Sequence, residues 1–336
     1  LAKTNPILID SFEREHTYLR ISITERCNLR CTYCMPAAGI PLSPKSHIMT
    51  YDEIYTVAKK FVDLGVTKIR ITGGEPLVRK DVEIVLRKLA TLPVELSITT
   101  NGVLIDKYVT IFKECNIQKI NISIDSLQKQ KFDSITRRKD FEKVMQNIKL
   151  FTNDSFFKVK LNCVLMKNTN DNEIVDFIEY TRERNLNLRF IEFMPFDGNK
   201  WNLNQLVSLQ TILDTANNTF GNENILKIKD TANDTSKNYR LKGAKGSFAI
   251  ISTVTNPFCD TCNRIRLTAN GMLKNCLFSN GETNLLETLR AGGNIEQPIR
   301  VAILSKMKTR GGMESQENFT NDGLRNNNRS MIAIGG

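Results

Sequence analysis

The sequence is poor in the features that mark several protein classes. No apolar run approaches the ~20 residues that a membrane-spanning helix needs, so no membrane segment is expected. Residues 1–10 lack a charged stretch followed by an apolar core, and no signal peptide is expected. The two histidines, His16 and His47, belong to no motif and read as structural or surface residues. No Gly-x-Gly-x-x-Gly run follows the first expected strand, which argues against a dinucleotide-binding sheet. Repeats and heptads are absent. Acidic residues are the minority, 36 against 47 Lys and Arg, which leaves a formal net charge of +11. That surplus suits a nucleic acid, a polyanionic small substrate or a merely solvated surface. No basic stripe interleaved with aromatics accompanies it, so nucleic acid is not the expected partner.

A chain of 336 residues is long enough for two domains, or for one large α/β domain with an extension. With 40% hydrophobic and 25% charged residues it reads as a soluble globular protein. Its eight cysteines are clustered rather than dispersed, which argues against a disulfide framework and fits a reducing cytoplasm.

The first two-thirds alternate strand and helix. Strands are expected at residues 18–24, 68–71, 95–99, 119–124, 159–165 and 188–193. Helices are expected near residues 51–64, 81–89, 106–115, 141–151 and 172–184. Thr50 and Glu53 form a capping box for the first helix, and Gly65 stops it. Unduplicated βα units in series predict a parallel sheet, and six of them, short of the eight of a full barrel, resemble a partial (β/α)6 TIM-like barrel. Most polar motifs fall at or just past the C-terminal ends of strands, where such barrels place active sites. Beyond it come one helix and surface loop over residues 202–237, then short β runs at 238–241, 247–253, 264–268 and 272–277. Asn270-Gly271 marks a hairpin between the last two. Helices near 284–290 and 295–308 and an irregular Gly- and Asn-rich end over 309–336 complete this hairpin and helical extension, which is expected to close the barrel. The implied division is residues 1–235 and 236–336.

Three thiols, Cys27, Cys31 and Cys34, lie within eight residues as Cys-x3-Cys-x2-Cys. Thiolates select zinc and iron–sulfur clusters. No fourth Cys or His follows nearby to complete a zinc tetrahedron, whereas a four-iron cluster held by three thiolates keeps one iron open. A second set, Cys259, Cys262 and Cys276, is spaced Cys-x2-Cys-x13-Cys, and the expected hairpin folds Cys276 back on the pair. A structural zinc site and a second cluster both remain open for it. Arginines in strands that should be buried, Arg20, Arg70 and Arg189 among them, need anionic partners. Those are either a bound polyanion or Glu75, Asp125 and Glu192. Cys115 and Cys163 match no motif and read as core.

The first triad, with aromatic Tyr33 before its last cysteine, resembles the signature of radical S-adenosylmethionine (radical SAM) enzymes. The resemblance implies a 4Fe-4S cluster whose open iron is chelated by S-adenosyl-L-methionine. One-electron cleavage then yields a 5'-deoxyadenosyl radical that abstracts hydrogen from substrate. Gly73-Gly74-Glu75-Pro76 resembles the segment that holds the methionine amino group. By the same resemblance Tyr33, Gly74, Ser123 and Met194 contact S-adenosyl-L-methionine.

The second triad, followed by Asn263-Arg264-Ile265-Arg266, resembles the GTP 3',8-cyclase family, which acts first in molybdenum cofactor biosynthesis. This resemblance covers nearly the whole chain. It implies a second 4Fe-4S cluster that binds guanine, with Arg20, Arg70, Thr99, Lys167, Arg189, Arg264, Ile265 and Arg266 meeting GTP. The radical takes hydrogen from C3' of the ribose, C3' joins C8, and the product is 3',8-cyclo-7,8-dihydro-GTP. Arg264, Arg266 and the terminal Gly335-Gly336 are the candidates for a late catalytic role. Implied partners are GTP, a reducing electron donor and cyclic pyranopterin monophosphate synthase downstream, in a cytoplasmic monomer or homodimer. The alternatives are a peptide-modifying radical SAM enzyme with an auxiliary cluster and a metal-bearing nucleic-acid-binding protein.

Overall fold

Alternation along the strands organises the molecule. The computed structural model describes residues 7–315, 317–320 and 328–335. Its first six strands are β1 (Tyr18–Ser22), β2 (Lys68–Thr72), β3 (Glu95–Thr100), β4 (Lys119–Ser123), β5 (Lys158–Leu165) and β6 (Asn187–Glu192). All six are parallel and pair in chain order. Leu19, Ile21, Ile69, Ile71, Ile98, Ile120, Ile122 and Leu161 take one face and belong to the main apolar core. Helices cover that face. A buried parallel strand is ordinarily apolar on both sides. Here the other face carries Arg20, Arg70, Thr99, Asn121, Lys160 and Arg189, so the barrel interior is polar.

The helices are α1 (Tyr51–Asp63), α2 (Val82–Ala90), α3 (Val109–Glu114), α4 (Lys129–Thr136), α5 (Phe141–Asn153), α6 (Ile174–Tyr180) and α7 (Leu209–Phe220). Helix α1 buries Ile54, Val57, Ala58 and Phe61, and both halves of the Thr50–Glu53 capping box form. Gly65 follows it at φ +92°, the left-handed region that glycine enters without penalty. Three expectations need correction. Helix α4 was not expected, because its eight residues offer only Phe132 and Ile135 as an apolar signal. The helix expected over 106–115 begins as a 3-10 turn, Ile105–Tyr108, before α3. The one expected over 172–184 spans only Ile174–Tyr180 as α-helix, after a 3-10 turn.

Beyond β6 the chain adds β7 (Ile225–Lys227), β8 (Lys237–Leu241), β9 (Ser247–Ile251), β10 (Arg264–Leu267), β11 (Met272–Lys274) and β12 (Thr283–Asn284). Strand β9 lies parallel to β6, and β10 lies parallel to β1. The sheet order is β12-β11-β10-β1-β2-β3-β4-β5-β6-β9-β8-β7, so the barrel is partial and open, with β12 and β7 at its edges. Eight parallel strands therefore flank the interior, two more than the six βα units of the sequence. The chain beyond β6 adds three strands at each side, β10, β11 and β12 beside β1 and β9, β8 and β7 beside β6. Helices α8 (Leu285–Arg290) and α9 (Glu296–Leu304) follow. The end is less irregular than expected, because residues Met331–Ile334 form a short helix, α10, that buries Ile332 and Ile334. Among the described residues no helix is long and apolar enough to cross a membrane.

Candidate active site

The first cysteine loop leaves β1 and folds over the C-terminal ends of the next strands. Gly74 N–H donates to the Thr24 carbonyl at 2.7 Å, and Glu75 N–H to the Arg26 carbonyl at 2.8 Å. A Cβ at Gly74 would lie 2.4 Å from the Arg26 carbonyl oxygen, so only glycine allows this approach. Tyr33 Oη donates to Asp125 Oδ2 at 2.9 Å, and Asp125 Oδ1 accepts the Val164 N–H at 2.9 Å. Asn101 Nδ2 donates to Asn28 Oδ1 at 2.7 Å. The loop is thus tied to β2, β3, β4 and β5. Burial pushes the Cys27 thiol up to about 11 and Cys34 up to about 12, and Cys31 rises as well. Such thiols stay neutral until a cation takes them, and loading a metal would release their protons.

The second triad is assembled by β10 and β11. These strands pair antiparallel, Arg266 with Lys274 and Leu267 with Leu273. Gly271 turns between them at φ +74°. The hairpin returns Cys276 to the side of Cys259 and Cys262, which precede β10. Because β10 is parallel to β1, with Arg264 beside Tyr18, this triad sits at the N-terminal end of the barrel strands. The sequence expectation that polar motifs gather at the C-terminal ends does not extend to it. Arg310 N–H donates to Cys259 Sγ at 3.3 Å and Lys306 Nζ to Cys262 Sγ at 3.5 Å. Burial pushes the Cys262 thiol up, but Lys306 and Arg264 outweigh it and bring it down to about 7. Burial raises Cys259. Among the described residues no three Cys, His, Asp or Glu side chains form a ready clasp for a single metal ion. The fit of each triad to a cluster therefore rests on soft donor type and on shared placement at one cavity wall.

That cavity, about 300 Å³, runs between the two triads and is lined by all six of these cysteines. Tyr33, Gly74, Ser123 and Met194 line it near the first triad, with Thr99 beside them. Arg20, Arg70, Arg189, Arg264 and Arg266 line it from β1, β2, β6 and β10. Among the described residues none of these arginines has a carboxylate within ion-pair distance. Glu75 is taken by Thr100 Oγ1 and the Asn101 and Leu77 N–H groups. Asp125 is taken as described, and Glu192 accepts the Val254 and Thr255 N–H groups. The internal salt bridges that would have explained the buried arginines are not made.

The field of these cations is visible on their neighbours. Burial pushes the Tyr18 phenol up, but Arg70, Arg20, Lys68 and Arg264 bring it down to about 8. Burial brings Arg70 down to about 10, with repulsion from Arg20, Arg189 and Arg264 adding to it. Lys160 falls to about 7 through burial and repulsion from Arg189 and Arg70. Arg20 Nε and both polar side-chain atoms of Asn121 are buried without a partner, as is Asn162 Oδ1. Buried polar atoms are normally satisfied, so an anionic, hydrogen-bonding ligand fits this lining.

Two expected GTP residues lie elsewhere. The Lys167 side chain is exposed and outside the cavity lining, since it follows β5 on a turn whose N–H bonds the Gln205 carbonyl. Ile265 is fully buried in the apolar core, because strand alternation turns it away from Arg264 and Arg266. Sequence reasoning passed over Lys160, a half-buried lysine that is not itself part of the cavity lining but is close enough to the lining Arg189 and Arg70 to feel their charge. It pairs with Asn121 on β4 and Asn187 on β6 and shares the inner face with Asn162. Its signal was the alternation Lys158-Val159-Lys160-Leu161-Asn162-Cys163, which puts every second residue inside.

The tail enters the same place. Met331 and Ile332 line the cavity, and the Ile332 N–H meets the Cys34 sulfur. Gly335 is buried at φ +88°, and its carbonyl accepts Arg266 Nη1 at 2.5 Å. A Cβ there would lie 2.8 Å from both Ser22 Cβ and Thr72 Oγ1. Gly336 lies outside the described residues.

Comparison with known proteins agrees with this architecture. The Radical SAM superfamily pattern matches residues 21–181, and Molybdenum Cofactor Synthesis C matches residues 186–313. A GTP 3',8-cyclase, mitochondrial, of Arabidopsis thaliana is 44% identical over 342 residues, covering 99% of this chain and 85% of that protein. A GTP 3',8-cyclase of Listeria welshimeri is 40% identical over 305 residues, covering 89% of this chain and 91% of that protein. The chain spans about half the length of its animal relatives, which are named for molybdenum cofactor biosynthesis. Among solved structures, Streptococcus suis SuiB bound to S-adenosylmethionine shares the fold, with a TM-score of 0.60 at 16% identity, over 87% of this chain and 68% of that one. Identity of this extent over nearly the whole length shows that the chain belongs to the GTP 3',8-cyclase family of the radical SAM superfamily.

Proposed function

We propose that this protein converts GTP to 3',8-cyclo-7,8-dihydro-GTP with S-adenosyl-L-methionine, the first step of molybdenum cofactor biosynthesis. The observation that carries the reading is the unpaired cationic lining between two cysteine triads in one cavity. A peptide backbone gives such a lining no counter-charge, whereas a triphosphate concentrates several negative charges in one place. A 4Fe-4S cluster on Cys27, Cys31 and Cys34, with S-adenosyl-L-methionine, supplies the one-electron cleavage that starts the reaction. Cys259, Cys262 and Cys276 would hold a second cluster, whose open iron would supply a site for the guanine end.

The chain's own residues do the rest. Gly74 keeps the β2 turn low enough for a backbone contact with the methionine part, beside Tyr33, Ser123 and Met194. Arg20, Arg70, Lys160, Arg189 and Arg264 receive the triphosphate, arginine forks suiting phosphate oxygens and Lys160 acting as a point charge. Asn121 and Asn162 offer neutral donors and acceptors between the two ligands. Arg266 holds the tail through Gly335, which excludes water from the reacting centre. A low-potential electron donor supplies the cluster, and cyclic pyranopterin monophosphate synthase takes the product. A reducing compartment such as the cytoplasm belongs to the same proposal, since six of the eight cysteines are needed as thiolate ligands.

The test is anaerobic incubation of the reconstituted protein with GTP, S-adenosyl-L-methionine and a reductant. Mass analysis should show an isomer of GTP with the 3',8-bond and an equivalent of 5'-deoxyadenosine. Unchanged GTP beside abundant 5'-deoxyadenosine would assign another substrate.

A further inference from the structure

Two lysines of the C-terminal part are fully buried, and they are treated differently. Lys274 is 0% exposed and has a carboxylate, Glu282, at 3.5 Å, besides the Ser279 carbonyl. Lys306 is 3% exposed, and among the described residues no carboxylate lies within ion-pair distance of it. Its Nζ donates to Cys262 Sγ at 3.5 Å and to the Arg264 carbonyl at 3.0 Å. The segment that presents it packs on the N-terminal hairpin, where Arg14 donates to the carbonyls of Cys259, Met307 and Lys308. An ammonium buried without an anion costs several kcal/mol. Lys306 therefore requires negative charge at Cys262.

Among the described residues the first triad has no such cation at hydrogen-bond distance. Its sulfurs meet the Leu29 N–H at 3.4 Å, the Asn101 amide at 3.8 Å and the Ile332 N–H. Those donors are neutral. Net charge and hydrogen bonds to sulfur set the potential of an iron–sulfur cluster. A positive charge on a ligand sulfur stabilises the reduced, more negative state and raises the potential.

We propose that Lys306 is a positioning residue for the second cluster, and that its ammonium, acting through Cys262, holds that cluster at a higher reduction potential than the first. With both clusters bound, the asymmetry would let reducing equivalents rest at the substrate end and leave the first cluster the stronger reductant, as cleavage of S-adenosyl-L-methionine requires. This inference rests on the two-cluster reading above.

The test uses the full chain, reconstituted anaerobically, as wild type, Lys306→Met, Lys306→Gln and Lys306→Arg. Iron and sulfide are counted, and each cluster is titrated with spectroscopic detection of its reduced form. In Lys306→Met the second cluster's midpoint should move to more negative potential while the first cluster's stays. Lys306→Arg should restore most of the wild-type value. Should Lys306→Met fail to hold the second cluster, Lys306→Gln, which keeps a donor without the charge, carries the same expectation. An unmoved midpoint in a charge-free variant that retains both clusters overturns the inference alone. A wild-type protein that binds iron for only one cluster overturns the two-cluster reading itself.

Discussion

Replacing Lys160 by Gln tests the cations of the barrel interior. The side chain lies on the inner face of β5 between Asn121 and Asn187, and no carboxylate pairs with it among the described residues. A charge-assisted hydrogen bond contributes about 1.5–3 kcal/mol, so GTP should bind roughly 10–150-fold more weakly. Guanosine, which lacks the phosphates, should bind as before. The acidity of Lys160 adds a signature. Burial and the nearby Arg189 and Arg70 bring it to about 7, against an ordinary 10.5. A triphosphate raises it again, so binding above pH 7 takes up a proton, and affinity should weaken by up to about tenfold per pH unit. Lys160→Gln should flatten that slope. The sign for stability is the reverse of the usual lysine case. The folded-state value is depressed, so the unfolded chain binds more protons between pH 7 and 10.5. Ligand-free protein should then gain stability as pH rises through that window, by at most about 1.4 kcal/mol per unit. Calorimetric titration of GTP and guanosine at several pH values reads all of this. Equal losses for both ligands, or an equal loss in Lys167→Gln, would refute the reasoning.

Other variants separate the remaining parts. Cys27→Ala, Cys31→Ala or Cys34→Ala should abolish 5'-deoxyadenosine formation altogether, read by chromatography. Cys259→Ala, Cys262→Ala or Cys276→Ala should halve bound iron, spare some uncoupled cleavage and remove GTP conversion; full cyclase activity in any of them would make that site structural. Gly74→Ala should weaken S-adenosyl-L-methionine binding before GTP binding, because a Cβ 2.4 Å from the Arg26 carbonyl must push the β2 turn off the cysteine loop. Deleting Gly335 and Gly336 should leave GTP affinity and iron content near wild type while cutting product formation at least roughly tenfold, about 1.4 kcal/mol of barrier. A truncated protein with the full-length rate would return the tail to a packing role.

Much of this was legible in the sequence because the signals were local. The capping box at Thr50 and Glu53, the Asn270-Gly271 hairpin and both cysteine spacings each fix geometry within a few residues. Buried arginines in strands called for either an anionic ligand or Glu75, Asp125 and Glu192, and the structure decides between them by bonding those carboxylates elsewhere. What was less legible depends on pairing between distant segments. Nothing near Arg264 says that β10 joins β1 in parallel, or that β9 joins β6, so the interior was read two strands short. Lys167 was chosen over Lys160 by its place after a strand, whereas inner-face alternation decides which lysine enters the barrel. Helix α4 was missed because two apolar residues in eight give too little periodicity. The tail's backbone was expected to be irregular although its Gly335-Gly336 end was assigned a late catalytic role; what the sequence does not show is its hold on Arg266 and the space between Ser22 and Thr72, which only the fold creates.

The central claim is that one cavity holds the nucleotide ribose against the S-adenosyl-L-methionine site beneath the first cysteine loop. GTP deuterated at C3' tests it most directly, in an anaerobic turnover with unlabelled S-adenosyl-L-methionine and a reductant. The account predicts one deuterium in the 5'-deoxyadenosine formed and its loss from C3' of the cyclised nucleotide. Unlabelled 5'-deoxyadenosine, with deuterium retained at C3', would contradict it.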